Sequence, residues 1–241
     1  MKKIAILVLV TFLLSLLPTT VLAKPDPQKA GGNKWAQNPG VTEQQTVDQD
    51  DEQEVTFDDI NDSWANGYIK KVAKKGLVEG YRGQYQPNKP VTNLELITML
   101  VRALNLGNTP IIRGRFADVP AGSWYFFAVN QVAEAGIVQG YSDDIFGPED
   151  PITREQMTVM CVRALRHLGA LNHDDAHASI LAPFIDRQAI SGWAGASVSL
   201  AVEIKLIEGR SGEIFAPEAH ASRAEAGVVI LRMLDLIPTV Q

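Results

Sequence analysis

Residues 92–104 read TNLELITMLVRAL, and this stretch carries the two features that decide the fold. Thr92 and Glu95 have the spacing of a capping box, in which each side chain bonds the other residue's backbone N–H at the start of a helix. The following residues are apolar on most faces of that helix, which predicts that the helix is buried. A single helix of this kind cannot cover itself, so the stretch requires partner helices.

The partners are repeats of the same stretch further along the chain. Residues 152–165 read ITREQMTVMCVRAL and residues 221–234 read ASRAEAGVVILRML, with the capping pairs Thr153/Gln156 and Ser222/Glu225. Three helices that are each apolar on most faces can cover one another. We therefore predict a central three-helix bundle that forms one cooperative body.

An amphipathic helix is predicted before each of these buried helices. FDDINDSWANGYIKKVAKKGLVEGY begins at residue 57, FADVPAGSWYFFAVNQVAEAGIVQGY at residue 116 and FIDRQAISGWAGASVSLAVEIKLIEGR at residue 184. Each contains a tryptophan followed by apolar residues at helical spacing. Gly76 and Gly136 predict a left-handed helix end, whereas Lys205 in the same place predicts a different end in the third unit. The predicted fold class is all-α, with three helix-loop-helix repeats.

The chain divides into five predicted segments. A basic start, a short apolar run and small residues up to Ala23 predict a secretory signal peptide over residues 1–23. Residues 24–54 are polar and end in an acidic run, which predicts a flexible linker. The three repeats are expected over residues 55–107, 114–169 and 182–237. Cys161 is the only cysteine, so it excludes an intrachain disulfide, and we expect it in the core.

Composition and motifs argue against several function classes. The formal net charge of −6 disfavours nucleic acid or an anionic membrane surface as a general partner. The sequence has no Ser-His-Asp order, nucleophile elbow, phosphate loop or paired carboxylates in a catalytic context, so we expect neither an enzyme nor a cofactor. His173 and His177 have an i, i+4 spacing that suits a metal, but we interpret them as a chance cluster in a polar loop.

The combined pattern resembles the S-layer homology (SLH) domain family across residues 55–237. An F-x-D start, a tryptophan, a G-[IL]-[VI]-x-G turn, an aromatic-x-Pro loop and a T-R-x-E-like helix start recur in three ordered copies. The resemblance implies a pseudo-threefold spindle around the three-helix bundle. It also implies that the exported protein attaches non-covalently to the wall of a Gram-positive bacterium, by binding a pyruvylated secondary wall polysaccharide in grooves between the repeats.

Arginine occupies the first helical position of two of the three buried helices. Arg154 and Arg223 there meet the positive end of the helix dipole, which costs roughly 0.3–1 kcal/mol each. They are either solvated surface residues or anion ligands, and the resemblance implies the second role. The guanidinium and the free N–H groups of the helix start would then converge on one carboxylate. Asn93 takes this position in the first repeat and supplies no charge, so the groove that depends on it is in doubt.

Three further sets of repeated residues are candidates for the polysaccharide site. The tryptophans are either core residues or stacking surfaces at a groove rim, and the aspartates favour turns or caps over sugar hydroxyls. The glycines favour turn geometry, and the resemblance implies that the backbone of their loop can also contact the ligand. The arginines inside the buried helices are expected to snorkel or to brace neighbouring units. The three candidate sets are Trp64, Trp124 and Trp193; Asp59, Asp118 and Asp186; and Gly80, Gly140 and Gly209, and the bracing arginines are Arg102, Arg163 and Arg232.

Attachment to the cell wall through the polysaccharide is the leading function hypothesis. The alternative is an exported structural or regulatory interaction protein that uses the repeats for surface localisation and residues 24–54 for a protein partner. An enzyme acting on wall glycans is the third hypothesis.

Overall fold

The computed structural model describes residues 55–106, 113–171 and 177–238. The predicted signal peptide and the predicted linker lie outside these residues. The described residues form helices joined by loops and contain isolated β-bridges but no strand, which confirms the all-α class. The helices are α1 (Asn66–Lys74), α2 (Asn93–Leu104), α3 (Phe126–Glu134), α4 (Arg154–His167), α5 (Gly195–Glu203) and α6 (Arg223–Asp235), with short 3-10 helices at Ala178–Leu181 and Arg187–Ala189.

The buried helices α2, α4 and α6 begin where the capping boxes predict. In each, the Thr or Ser hydroxyl accepts from the N3 backbone N–H, and the N3 side chain accepts from the cap's own N–H. Each of these helices contacts the other two, which confirms the three-helix bundle. Side chains that are fully buried there include Leu96, Ile97 and Leu100 of α2 and Met157, Cys161 and Leu165 of α4.

The outer helices cover buried helices that belong to other repeats. Helix α3 packs on α2, α5 packs on α4, and α1 packs on α6. The first helix of the second and third repeats therefore packs on the buried helix of the preceding repeat. The first helix of the first repeat packs on the buried helix of the third. The apolar area of one repeat is covered only when all three are present.

A closed ring of backbone hydrogen bonds joins the starts of the three buried helices. The Val91 N–H donates to the Ala221 carbonyl at 2.9 Å, the Ala221 N–H to Ile152 at 3.0 Å, and the Ile152 N–H to Val91 at 3.0 Å. One residue of each repeat takes part, and each bond runs to the next repeat in the same direction. The three repeats are thus related by a cyclic, threefold pattern of bonds. The spindle outline that the resemblance implies stays a prediction.

The outer helices end in the same way in all three repeats. Gly76, Gly136 and Lys205 have φ values of 68°, 70° and 58°, all in the left-handed region. In the third repeat the Leu206 N–H reaches back to Ala201 at 2.8 Å, as the residue after each glycine does in its own helix. The expectation of a different end at Lys205 was wrong, because these backbone bonds hold a lysine in a conformation that favours glycine.

Within the described ranges, no helix is long and apolar enough to cross a membrane. Cys161 is fully buried, as predicted, and burial raises the pKa of its thiol to about 12. His177 is exposed, whereas His173 lies outside the described residues.

Candidate functional site

Arg154 is a buried side chain whose guanidinium is bonded on every nitrogen. It is 3% exposed. Its Nε donates to the Phe215 carbonyl at 2.9 Å, its Nη2 to the Glu208 carbonyl at 2.9 Å, and its Nη1 to Glu225 Oε1 at 2.7 Å. Burial lowers the pKa of Arg154, and the charge of Glu225 opposes that shift. The arginine at the helix start therefore joins the second repeat to the third.

Arg223 repeats the same arrangement between the third repeat and the first. Its Nε donates to the Tyr85 carbonyl at 2.9 Å, its Nη2 to the Glu79 carbonyl at 3.1 Å, and its Nη1 to Glu95 at 3.0 Å. The guanidinium also lies 4.8 Å from the centre of the Tyr85 ring. Neither Arg154 nor Arg223 is a freely solvated surface residue.

The backbone N–H groups at these helix starts are not free, which corrects one part of the sequence-based prediction. The Arg154 N–H donates to the Ala219 carbonyl at 2.9 Å and the Glu155 N–H donates to Pro217 at 3.0 Å. An incoming carboxylate would have to displace these bonds. The convergence of a guanidinium and free N–H groups on one anion does not exist in this structure.

A cavity that we call groove A opens beside Arg154 and has a volume of about 630 Å³. Residues of all three repeats line it, including Arg154, Glu208, Gly209, Arg210, Glu225, Arg232 and, at its edge, Trp64. Glu225 accepts from Arg154 and Arg210, which come from different repeats. Burial alone would raise the pKa of Glu225, but bonds from Arg210 and the Ser222 N–H and the charge of Arg154 lower it below the ordinary value.

A second cavity of about 350 Å³, which we call groove B, occupies the equivalent place one repeat earlier. Its lining includes Asn93, Gln139, Gly140, Tyr141, Gln156, Arg163 and Trp193. The Asn93 amide donates to the Gly147 carbonyl at 2.9 Å and to the Tyr141 hydroxyl at 3.3 Å. It thus bridges the first and second repeats with a shorter, uncharged side chain in place of an arginine.

Groove B contains both residues at which two repeats depart from the common pattern. Asn93 replaces the arginine of one repeat, and Gln156 replaces the glutamate of the next. In groove A the equivalent residues, Arg154 and Glu225, form a 2.7 Å ion pair. Loss of the arginine alone would leave a carboxylate without its partner, which is costly away from water. Groove B therefore has an amide at each of the two positions that form the ion pair in groove A.

The tryptophans lie at the surface and not in the core. Trp64, Trp124 and Trp193 are 65%, 41% and 58% exposed, which excludes the core interpretation. Trp64 lines groove A and Trp193 lines groove B. The Arg154–Glu225 pair of groove A comes from the second and third repeats, and its tryptophan comes from the first. Asn93 and Gln156 of groove B come from the first and second repeats, and its tryptophan comes from the third.

The aspartates organise the loops, as favoured from the sequence. Each carboxylate accepts two consecutive backbone N–H groups at the aromatic-x-Pro segment, at 2.7–2.9 Å in the shorter contacts. The acceptors are Asp59, Asp118 and Asp186, and the donors are Tyr85 and Gln86, Phe146 and Gly147, and Phe215 and Ala216. These carboxylates hold the loop against its own repeat and do not cap the outer helices.

The repeated glycines are needed for close packing. A Cβ on Gly80, Gly140 or Gly209 would collide with the first phenylalanine of its repeat. Only Gly140 has a positive φ, of 83°. Gly140 and Gly209 also line grooves B and A, so the expected loop does border both cavities.

Arg210 is a groove residue that sequence reasoning missed. Its Nε and Nη2 donate to the two Glu225 oxygens at 3.0 and 2.9 Å, and its side chain is 40% exposed. Tyr81 and Tyr141 occupy this position in the other repeats. The endings EGY, QGY and EGR of the three aligned segments contain the signal, but only the tertiary contact gives Arg210 its role.

Comparison with known proteins assigns the repeats to a family. The model of the S-layer homology domain matches residues 56–96, 115–158 and 183–226, one match inside each predicted repeat. The chain belongs to the S-layer homology domain family.

Relatives of this SLH protein carry two kinds of name. An amylopullulanase of Thermoanaerobacterium thermosulfurigenes is 37% identical over 76% of this chain, and the S-layer protein sap of Bacillus anthracis is 28% identical over 73%. The middle cell wall protein of Brevibacillus brevis is 33% identical over 40% of the chain. The matches span 10%, 21% and 10% of these relatives, so the chain corresponds to a small part of each.

Proposed function

We propose that this SLH protein attaches non-covalently to the bacterial cell wall by holding a pyruvylated secondary wall polysaccharide in the grooves between its repeats. Membership of the family and the names of the S-layer and cell wall relatives support attachment to the cell surface. The equivalence of grooves A and B is the observation that supports binding of the polysaccharide in the grooves. Both lie between repeats, both have an exposed tryptophan, and their volumes fall within the range of about 300–1,000 Å³ that is common for ligand sites.

The charges of groove A favour an anionic glycan. Three arginines and two glutamates line it, so the cavity carries an excess of positive charge. A carboxylate such as a pyruvate ketal can reach the partly exposed side chain of Arg210, whereas the buried Arg154 keeps Glu225 in place through their ion pair. We assign to Arg223, which pairs with Glu95 between the third and first repeats, the role that Arg154 has beside Glu225. By the threefold relation, Trp124 is the tryptophan that corresponds there to Trp64.

The enzymatic names of some relatives do not transfer to these repeats. The amylopullulanase and the S-layer protein both match this chain over about three quarters of its length, although only one of the two names denotes an enzyme. The region that both share cannot be what makes one of them an amylopullulanase. We therefore propose a binding role and no catalytic one.

Titration of the isolated wall polysaccharide tests this proposal, with Trp64→Ala as the variant. Trp64 is exposed, so its removal should not unfold the protein, yet it borders groove A. We expect affinity, measured by isothermal titration calorimetry, to fall by at least about fivefold, a typical loss for an aromatic contact residue. Phe127→Ala is the matched control, because Phe127 is an exposed aromatic of α3. Equal affinities for the two variants and the unmodified protein would contradict the groove as the binding place.

A further inference from the structure

Arg163 lines groove B and differs from its equivalents in the other repeats, because no carboxylate among the described residues pairs with it. Arg102 Nη2 lies 3.2 Å from Glu79 and Arg232 Nη2 lies 3.0 Å from Glu208. Arg163, at the same place on α4, instead donates to the neutral amide oxygen of Gln139 at 3.2 Å.

Groove B has consequently lost both of its carboxylates but kept one cation. Gln139 and Gln156 stand where groove A has Glu208 and Glu225. Among the described residues that line groove B, Arg163 is the one with a charge. An anion entering this groove meets a guanidinium without having to compete with a glutamate for it.

The surroundings of Arg163 make an added negative charge favourable. Burial lowers the pKa of Arg163, and the nearby charge of Arg166 lowers it further. A partly buried cation beside a like charge gains more from a bound anion than a cation that is already paired. A planar guanidinium can also donate two parallel hydrogen bonds to a carboxylate or phosphate.

The position of this charge sets the orientation of the ligand. Arg163 lies two helical turns after Gln156 along α4, and about 13 Å from the helix start at Arg154 at a rise of 1.5 Å per residue. Arg154 and Arg223 occupy the helix starts in the other two repeats. At the corresponding end of groove B, Asn93 and Tyr141 offer amide and hydroxyl groups, which suit uncharged sugar hydroxyls.

We propose that groove B binds an anionic substituent of the wall glycan, a carboxylate or a phosphate, through Arg163. This inference rests on the proposed function, since it takes the wall glycan as the ligand. Arg163 is then the charged ligand contact of groove B, where Asn93 replaces the arginine that the other repeats have at the helix start. The anion would bind about two turns along α4 and not at the start of a buried helix.

NMR spectra of the full-length protein report on each groove separately, through the indole N–H signal of Trp64 for groove A and that of Trp193 for groove B. The probe is the isolated wall polysaccharide in three forms: as isolated, after mild acid that removes pyruvate ketals, and after hydrofluoric acid that removes phosphate. We expect Arg163→Gln to weaken binding at Trp193 by at least about tenfold and to leave the response of Trp64 unchanged. Arg232→Gln is the matched control and should leave the response of Trp193 unchanged.

Gln139→Glu is a second variant that keeps Arg163 but gives it the carboxylate that its equivalents have. It should reduce binding at Trp193 as Arg163→Gln does, an effect that a merely structural role of Arg163 does not predict. Loss of the Trp193 response after mild acid identifies the carboxylate of a ketal, and loss only after hydrofluoric acid identifies a phosphate. The inference is overturned if neither treatment reduces that response, or if Arg163→Gln behaves as Arg232→Gln does while Trp64 still responds. If neither indole responds to any form of the polysaccharide, the proposed function itself fails.

Discussion

Glu225 is the residue on which the charges of groove A depend. It accepts from Arg154 of the second repeat and from Arg210 of the third, and its own backbone N–H is bonded to the Ser222 hydroxyl. The capping role of Glu225 could be predicted from the spacing to Ser222. Its role as the counter-ion of two arginines could not, because those residues are distant in the sequence and meet only after the repeats have packed.

Glu225→Gln should lower the free energy of unfolding by about 2 kcal/mol at pH 7, the typical value of a hydrogen bond to a charged group. The pKa of Glu225 is lowered in the folded protein, so its contribution is present above the ordinary carboxyl pKa of 4.5 and is lost as the pH falls through the lowered value. The difference between the variant and the unmodified protein should therefore shrink below about pH 4, as measured by urea unfolding across pH.

Gln156 provides the reason to expect that this variant folds, since a glutamine already closes the capping box of α4. Glu218→Gln is the control, because Glu218 is exposed. A loss of stability in Glu225→Gln that stayed constant down to pH 3 would mean that the charge of Glu225 is not what stabilises the groove.

At the scale of the helices, the starts and ends of the elements follow local rules. The capping boxes at Thr92, Thr153 and Ser222 and the left-handed ends at Gly76 and Gly136 could all be predicted from short-range patterns. The end at Lys205 could not. Its left-handed conformation is imposed by the packing of Leu206, which is fully buried after the turn.

Lys205→Gly should therefore stabilise the protein by about 1 kcal/mol, because a residue with a Cβ is strained in the left-handed region. Gly136→Lys makes the reverse change at the equivalent position and should destabilise the protein by a similar amount. Both free energies of unfolding are measured by denaturant titration. We expect the slope of the free energy against denaturant concentration to be the same for each variant and the unmodified protein. Equal stability of the Lys205→Gly variant and the unmodified protein would show that the turn carries no such strain.

At the scale of the whole molecule, the exchange of outer helices makes the three repeats one folding unit. The bundle was predictable, because three helices that are apolar on most faces must cover one another. The pairing of α1 with α6 was not, since it joins the first repeat to the last and depends on the complete packing. The packing of α2 with α4 brings Asn93 and Gln156 into one groove, whereas in the sequence they stand as two separate departures from the repeat pattern.

Removal of residues 182–241 should prevent stable folding of the first two repeats. Helices α4 and α1 would lose the apolar surfaces of α5 and α6 that cover them, and the ring through Ala221 would open. The shortened chain should show little helical circular dichroism and no sharp thermal transition. The full protein should unfold in one transition whose calorimetric and van't Hoff enthalpies agree. A shortened chain that melts cooperatively would show that the repeats fold independently.

The central claim is that the grooves between interlocked repeats hold this protein on the bacterial wall through a secondary polysaccharide. The most direct measurement is co-sedimentation of the protein with purified walls that either keep or lack that polymer. We predict that the protein sediments with the first walls, remains in solution with the second, and sediments less with the first walls when Trp64→Ala and Trp193→Ala are combined. Equal sedimentation with both kinds of wall, or undiminished sedimentation of the double variant, would contradict the account.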